Sequence, residues 1–166
     1  MTTTNVNNYR KGGVSAEGML IHPDVPCDNA NAPFHQGDLV YYDATNHRAT
    51  ALDTNAHAAN LLGVALEPSV ANSNIDNVST VQPASVQVGY GGIFQMKTVS
   101  GDTLHDGDAV YIAPGYDAQT ITNNSASGSN KVGVIRLNSG QSPVVGGSGA
   151  VVGVYVHSKY YVNFGL

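Results

Sequence analysis

From residue 35 onward, short apolar runs alternate with Gly-, Asn- and Asp-rich turns, the pattern of β-strands joined by turns. A Gly91-Gly92 pair separates two of the runs, which indicates either a hairpin or a strand bent at a glycine bulge. We therefore expect an all-β fold, a small β-barrel or sandwich. The predicted strands are Leu39–Asp43, Leu61–Glu67 (ended by Pro68), Val86–Tyr90, Ile93–Thr98, Lys131–Leu137, Ala150–His157 and Tyr160–Phe164.

The chain also repeats itself at a spacing of 70 residues. The run His-Gln-Gly-Asp-Leu-Val-Tyr that begins at residue 35 returns as His-Asp-Gly-Asp-Ala-Val-Tyr at residue 105. Asn-Leu-Leu-Gly-Val at residues 60–64 returns as Asn-Lys-Val-Gly-Val at residues 130–134. Two blocks in one register predict an internal duplication, with repeat cores at 35–67 and 105–137.

The repeated residues are of the types that form turns and cores. Glycine supplies a positive φ, and an aspartate side chain bonds nearby backbone N–H groups. We expect Gly37, Asp38, Gly107 and Asp108 to form two fold-defining turns. Gly63 and Gly133 are expected at matched strand positions.

Residues 1–34 contrast with this pattern, because they are polar and carry Pro23, Pro26 and Pro33. We interpret them as an extended N-terminal arm, with one possible short strand at Met19–Ile21. Residues 35–166 are then a single β domain.

Composition argues against several classes of partner. Charged residues make up only 11% of the chain and the net charge is −5, which argues against a nucleic-acid partner. The single cysteine excludes an intrachain disulfide. Neither a secretory signal nor a membrane-spanning apolar run is visible, so we expect no membrane partner and synthesis in a cytoplasm without processing.

Catalytic and metal-binding patterns are weak. His35 and His105 each precede a Gly-Asp turn and could face one centre, but neither a zinc-like Cys/His spacing nor a His-Glu-x-x-His motif is present. Asp102, Asp106 and Asp108 do not match a calcium loop. A positioned nucleophile is also missing. We expect no enzyme, no cofactor and no metal site.

The order of motifs resembles that of bacteriophage capsid decoration (cement) proteins, small β-barrels that bind the outside of an icosahedral head. The resemblance covers roughly residues 35–157. It consists of a Gly-Asp-x-Val-Tyr strand entry, a Gly-Val strand, the run Val-Gly-Tyr-Gly-Gly-Ile-Phe, a second Gly-Asp-x-Val entry and a last Gly-Val strand.

The resemblance implies a structural virion protein on the outer capsid surface that bridges major capsid proteins and stabilises the shell. Its partners would be the major capsid protein and neighbouring copies of itself, as a homotrimer. For capsid contact we select Arg10 and Lys11, the one adjacent basic pair, which suits an acidic patch. We add Tyr160 and Tyr161, because tyrosine is enriched at interfaces.

Two other functions stay open. Tyr- and Asn-rich loops also suit a fibre or receptor-binding module that recognises a glycan. A hydrolase that uses one of the histidines is the third possibility. Replacement of His35 and His105 would inactivate such an enzyme, but would only destabilise a cement protein.

Overall fold

The computed structural model describes residues 19–27, 34–69, 85–113, 119–128, 130–138, 140, 143–146 and 150–159. Half of the described structure is strand, these ranges include no helix of seven residues or more, and they form a curled, half-barrel sheet. The predicted all-β class is therefore confirmed. The strands are β1 Leu20–Pro26, β2 Leu39–Asp43, β3 Arg48–Ala51, β4 Leu61–Ala65, β5 Ser85–Tyr90, β6 Gly92–Lys97, β7 Thr103–Leu104, β8 Ala109–Ile112, β9 Ile121–Thr122, β10 Gly133–Ile135, β11 Val144–Val145 and β12 Val151–Val156.

Ten of these strands form two five-stranded sheets. The first sheet has the order β1-β5-β4-β2-β3 and the second has the order β6-β12-β10-β8-β9. The named strand pairs are antiparallel in both sheets. Strands β7 and β11 pair separately as a short ribbon. If β6 is matched to β1, β8 to β2, β9 to β3, β10 to β4 and β12 to β5, the two orders are identical.

An isolated bridge brings the two edge strands of each sheet together. Cys27, directly after β1, bridges Ala49 of β3, and Thr98, directly after β6, bridges Ile121 of β9. Because the outermost strands of each order meet, each sheet curls back on itself. The residues between the edges can then face one interior.

The buried apolar side chains of the described residues form two clusters. The smaller one lies within the first sheet and includes Val40 of β2, Leu62 of β4 and Val88 of β5. Side chains alternate along a strand, so Leu39 and Leu61 point to the opposite face. These two residues belong to the larger cluster, together with the core of the second sheet. The outer face of the first sheet is thus buried against the second sheet.

The region predicted as an arm contributes to this fold in part. Strand β1 pairs with β5 along most of its length, and Val25 and Phe34 are fully buried. The strand pairing is interrupted between His22 and Val25, where Asp24 has a φ of 49°. Residues 1–18 and 28–33 lie outside the described residues, so the arm itself is not confirmed.

The glycine pair at residues 91–92 does not make a hairpin. Strand β5 ends at Tyr90 in the first sheet, and β6 begins at Gly92 in the second. Gly91 has a φ of 68° and joins the two sheets as a single residue. The hairpin interpretation is therefore wrong, and the bend at the glycines is what the structure has. Strands β4 and β10 are also shorter than predicted, because they end at Ala65 and Ile135.

Candidate functional site

The two His-x-Gly-Asp turns have the same hydrogen-bond geometry. In the first turn the His35 N–H donates to Asp38 Oδ2 at 2.8 Å, and the Asp38 N–H donates back to the His35 carbonyl at 3.1 Å. In the second turn the His105 N–H donates to Asp108 Oδ2 at 2.9 Å, and the return bond is again 3.1 Å. The repeated aspartate therefore closes the turn that leads into β2 and β8.

The glycines of these turns fasten them to the neighbouring strand. The Gly37 N–H donates to the Ala65 carbonyl at 2.8 Å, and the Gly107 N–H donates to the Ile135 carbonyl at 3.0 Å. Their φ angles are 95° and 89°, a region that glycine adopts at little cost. The structure thus places the four predicted turn residues in two turns, each held by one sheet.

A second matched pair of glycines lies where strands come into close contact. A Cβ on Gly63 would overlap the Gly89 carbonyl oxygen, and a Cβ on Gly133 would overlap the Tyr155 carbonyl oxygen. Neither position has room for a side-chain carbon. The two predicted strand positions therefore require glycine for the same physical reason.

The electrostatic settings of the two turn aspartates differ. Asp38 is 2% exposed, whereas Asp108 is partly open to solvent. Burial acts to raise the pKa of Asp108, but hydrogen bonds from the His105 N–H and the Asn123 amide outweigh it and lower that pKa below its ordinary value. The charged form of Asp108 is thus the one that the turn stabilises.

Polar side chains tie the two sheets to each other. The amide of Gln119 accepts from the Leu39 N–H and donates to the carbonyls of Leu39 and Leu52, the last two at 3.2 Å each. Asn55 and Asn130 exchange three hydrogen bonds of 3.1–3.2 Å. These contacts satisfy buried backbone groups that the β ladders leave open. Sequence reasoning missed them, since the partners lie 67 to 80 residues apart.

The chain end described by the structure returns to the first sheet. The Lys159 N–H donates to the Leu61 carbonyl at 2.7 Å, and the Ser158 hydroxyl lies 3.0 Å from His22 Nε2. The His22 ring also stacks on Tyr90 with 4.3 Å between centroids. No sequence pattern predicted a role for His22, although it is the most buried histidine in the described ranges, at 6% exposure.

One exposed acid–base pair has the chemistry of a proton carrier. Asp53 Oδ1 lies 2.5 Å from His57 Nδ1, and the His57 ring stacks on Tyr41 at 4.4 Å. Burial raises the pKa of Tyr41, with smaller contributions from Asp53 and Asp43. A hydrolase would also need a nucleophile within reach of the imidazole. His57 contacts Asp53, Tyr41 and the Thr54 hydroxyl, which accepts from the His57 backbone N–H. Among the described residues, the pair therefore has no nucleophile that would complete a catalytic triad.

His35 and His105 stand at the start of the two turns, in agreement with their predicted positions. Within the ranges that the structure describes, no three His, Cys, Asp or Glu side chains come together in a way that could hold a metal ion. Nor is any helix in those ranges long and apolar enough to cross a membrane. The predicted contact residues Arg10, Lys11, Tyr160 and Tyr161 lie outside the described residues.

Comparisons with known proteins give no family. The chain matches no protein-family model, and a search of curated proteins finds no significant match.

Proposed function

We propose that this chain is a structural virion protein that binds the outer surface of an icosahedral phage head and stabilises it by bridging major capsid proteins. The resemblance in strand entries and Gly-Val strands supports this function. The observation that carries it in the structure is a pair of adjacent exposed aliphatic side chains on an edge strand. Leu20 and Ile21 of β1 are 56% and 44% exposed.

An apolar edge of this kind suits contact with another protein chain. Edge strands in natural proteins are usually blunted by charge, proline or a bulge, because an open edge pairs with other chains. In β1, Pro23 and the irregularity before Val25 blunt the second half of the strand. Leu20 and Ile21 precede this protection. The proposed contact site therefore lies at the edge of the first sheet, on a strand within residues 1–34, the segment predicted as an arm.

Binding to empty phage shells tests the proposal. The unaltered protein should saturate a fixed number of sites and raise the melting temperature of the shell, because a ligand that binds only the assembled form stabilises it. The double change L20S/I21T should weaken binding at least about tenfold. The change V145T at an exposed valine of the β7–β11 ribbon is the matched control, and it should bind normally. Failure of the unaltered protein to bind any shell would overturn the proposal.

The oligomer is proposed as a homotrimer. Small proteins that bind a shell at many equivalent sites gain strength from multivalency. The mass of the purified protein in solution and on shells measures the copy number. A monomer that binds one site per copy would contradict the trimer, but leave the structural role intact.

We also propose that the two sheets arose by internal duplication. Their identical strand order and the matched hydrogen bonds 70 residues apart support it. Asp106 stands where the first turn has Gln36, and its carboxylate accepts from the Leu137 N–H at 2.9 Å. The glutamine amide oxygen can also accept a hydrogen bond, so a D106Q change should lower the free energy of unfolding by no more than about 1 kcal/mol. A loss of several times that amount would indicate that the two turns are not equivalent.

A glycan-binding module is the second candidate. Tyr155 and the exposed His157 form an edge-to-face aromatic pair with 4.8 Å between centroids at the end of β12. Aromatic rings beside polar groups suit the faces of sugars. Specific hits of the purified protein on a glycan array, lost in a Y155A variant, would favour this function over the first.

A further inference from the structure

The second His-x-Gly-Asp turn contains the one Asp-Gly sequence of this chain, at residues 106–107. An aspartate before a glycine can close a five-membered ring with the backbone, because glycine has no side chain to hinder the approach of its nitrogen to the carboxyl carbon. The Asp106 side chain is 53% exposed, and Gly107 is exposed. Nothing lies within 4 Å of the position that a Cβ on Gly107 would take, so this side of the turn has room for a ring.

The matched first turn does not share this chemistry. Its dipeptide is Gln36-Gly37, and the Gly37 N–H has the same kind of bond to the neighbouring strand, 2.8 Å to the Ala65 carbonyl. A glutamine at this position would have to close a six-membered ring, which is a much slower reaction. The two turns therefore share a backbone path but differ in chemical stability, and the first serves as a control within the same molecule.

Both reacting groups of the second turn are held by the end of β10. The Gly107 N–H donates to the Ile135 carbonyl at 3.0 Å, and Asp106 Oδ1 accepts from the Leu137 N–H at 2.9 Å. Asp106 Oδ2 also lies 3.7 Å from Arg136 Nη1. The Ile135 carbonyl stabilises the proton that has to leave the attacking nitrogen, and the Leu137 N–H restrains the carboxyl group that has to reach it. The closed turn therefore opposes the reaction.

We propose that Asp106-Gly107 is a site of spontaneous isoaspartate formation, at a rate set by opening of this turn away from β10. The Gly107 nitrogen forms a bond to Asp106 Cγ, and one carboxyl oxygen leaves as water with the amide proton and a proton from the carboxyl group or solvent. One water then opens the resulting succinimide ring. Addition at Cγ restores aspartate, whereas addition at the Asp106 main-chain carbonyl leaves isoaspartate, in which the main chain runs through Cβ. The mass is unchanged, no oxidant or cofactor is consumed, and the inference does not depend on the proposed function.

The size of the protection follows from the bonds that have to open. Local opening of a surface turn costs less than global unfolding, so the reaction proceeds from the folded chain. Two hydrogen bonds of ordinary net strength correspond to a rate about tenfold to a hundredfold lower than in the unfolded chain.

The product would deform the turn. Isoaspartate lengthens the main chain between His105 and Asp108 by one carbon–carbon bond of about 1.5 Å. The bond from the His105 N–H to Asp108 Oδ2, at 2.9 Å, and the return bond to the His105 carbonyl, at 3.1 Å, both depend on this spacing. We therefore expect the modified chain to melt at a lower temperature than the unmodified one.

Incubation of the full-length protein at neutral pH for several weeks tests the site. Peptide mapping locates isoaspartate, because an isoaspartyl peptide separates from its isomer at equal mass and resists an aspartate-specific protease. Isoaspartate should accumulate at Asp106 in the folded protein, and about tenfold to a hundredfold faster in the same chain unfolded by denaturant. Gln36 should stay unchanged, and a D106Q variant, which copies the first turn, should give no product at this position.

A D106N variant reports the same reaction on a shorter timescale. Its amide oxygen can still accept from the Leu137 N–H, and its ring closes with loss of ammonia, so the product is detected by the mass difference between an amide and a carboxyl group. If this variant does not fold, the unaltered protein is compared at a raised temperature below its melting transition.

Two results would overturn the proposal. One is a folded D106N chain that remains intact over about a hundred half-times of the unfolded D106N chain, because opening of the turn would then not give access to the reaction. The other is an equal rate in the folded and unfolded chains, which would show that the bonds to Ile135 and Leu137 do not control it.

Discussion

The outer faces of the two sheets are built on the same strand order but carry different side chains. In the first sheet the face presents Leu39 and Leu61, which are buried in the larger core cluster. At the matched positions, 70 residues later, β8 has the partly exposed Ala109, and the exposed Lys131 lies two residues before β10. The first face is covered by the other half of the chain, whereas these two positions of the second half are partly or fully exposed.

The difference shows that one set of residues determines the backbone path and another set determines what covers each sheet. Residues that set the backbone path are the same in both sheets, namely the turn aspartates and the close-contact glycines. Residues that decide what covers a sheet have changed. Since apolar burial is the main favourable term in association, the outer face determines which surface becomes an interface.

The largest expected effect comes from placing the lysine found at residue 131 at the matched position of the first sheet, Leu61. Leu61 is fully buried, and a L61K change places an unpaired ammonium in the core. We expect a loss of about 4 kcal/mol or more in the free energy of unfolding, measured by denaturant titration. The reciprocal change K131L should alter it by no more than about 0.5 kcal/mol.

If L61K prevents folding, L61A supplies the measurement. Truncation of a buried leucine costs about 2–5 kcal/mol. A cost below about 1 kcal/mol for L61A would contradict the burial of this face.

The matched glycines Gly63 and Gly133 should both be destabilised by substitution with alanine, which tests whether the two positions are equivalent. G133A forces a methyl group against the Tyr155 carbonyl and should cost about 1–3 kcal/mol. G63A should cost at least as much, because the backbone there also has a φ of 148°. G107A has open space around its Cβ and should cost only about 1 kcal/mol, from its positive φ. Thermal denaturation measures the stability of the three variants. A G133A variant as stable as the unaltered protein would show that Gly63 and Gly133 are not equivalent.

The turn aspartates should differ, because one is buried and the other is not. D38A leaves the buried His35 N–H without its acceptor, with an expected cost of about 2–3 kcal/mol. D108A makes the same change where water can replace the carboxylate, and should cost about 1 kcal/mol. Equal costs would show that burial of the first turn has no energetic consequence.

The smallest expected effect is the pH dependence that Asp108 contributes. Its pKa is lowered in the folded chain, so its stabilising contribution is present above the unfolded value of 3.8. The contribution is lost as the pH falls through the lower folded value. D108N should therefore flatten the acid limb of stability against pH below about 4. An unchanged acid limb would exclude this turn as a source of acid sensitivity.

Local chemistry predicted the turns and strand β2, which matches Leu39–Asp43 at both ends. Gly-Asp turns determine the backbone within a few residues, so their signal is contained in the sequence around them. The pairing of β5 and β6 is not local. The runs around Gly91-Gly92 indicated either a hairpin or a strand bent at a glycine bulge, and only distant partners decide between them, because β5 pairs with β1 and β4, and β6 pairs with β12.

The histidine contacts illustrate the same limit. His35 and His105 were singled out because they repeat, and the structure places them beside their turns. His22 repeats nothing, and its contact with Ser158 depends on how the chain end returns to β1. Burial of a lone polar residue on a strand that contains two prolines has no local signature, so no pattern along the chain distinguishes His22 from the other histidines.

The one-residue connection at Gly91 has a mechanical consequence. Strand β5 ends one residue before it and β6 begins one residue after it, and its N–H is bonded to the Val156 carbonyl of β12. The connection between the two sheets therefore has no additional residues that could extend under load. A pull on β1 is passed by its ladder to β5, through Gly91 to β6, and on to β12. Many hydrogen bonds share such a load, so we expect the two sheets to resist extension together and not one after the other.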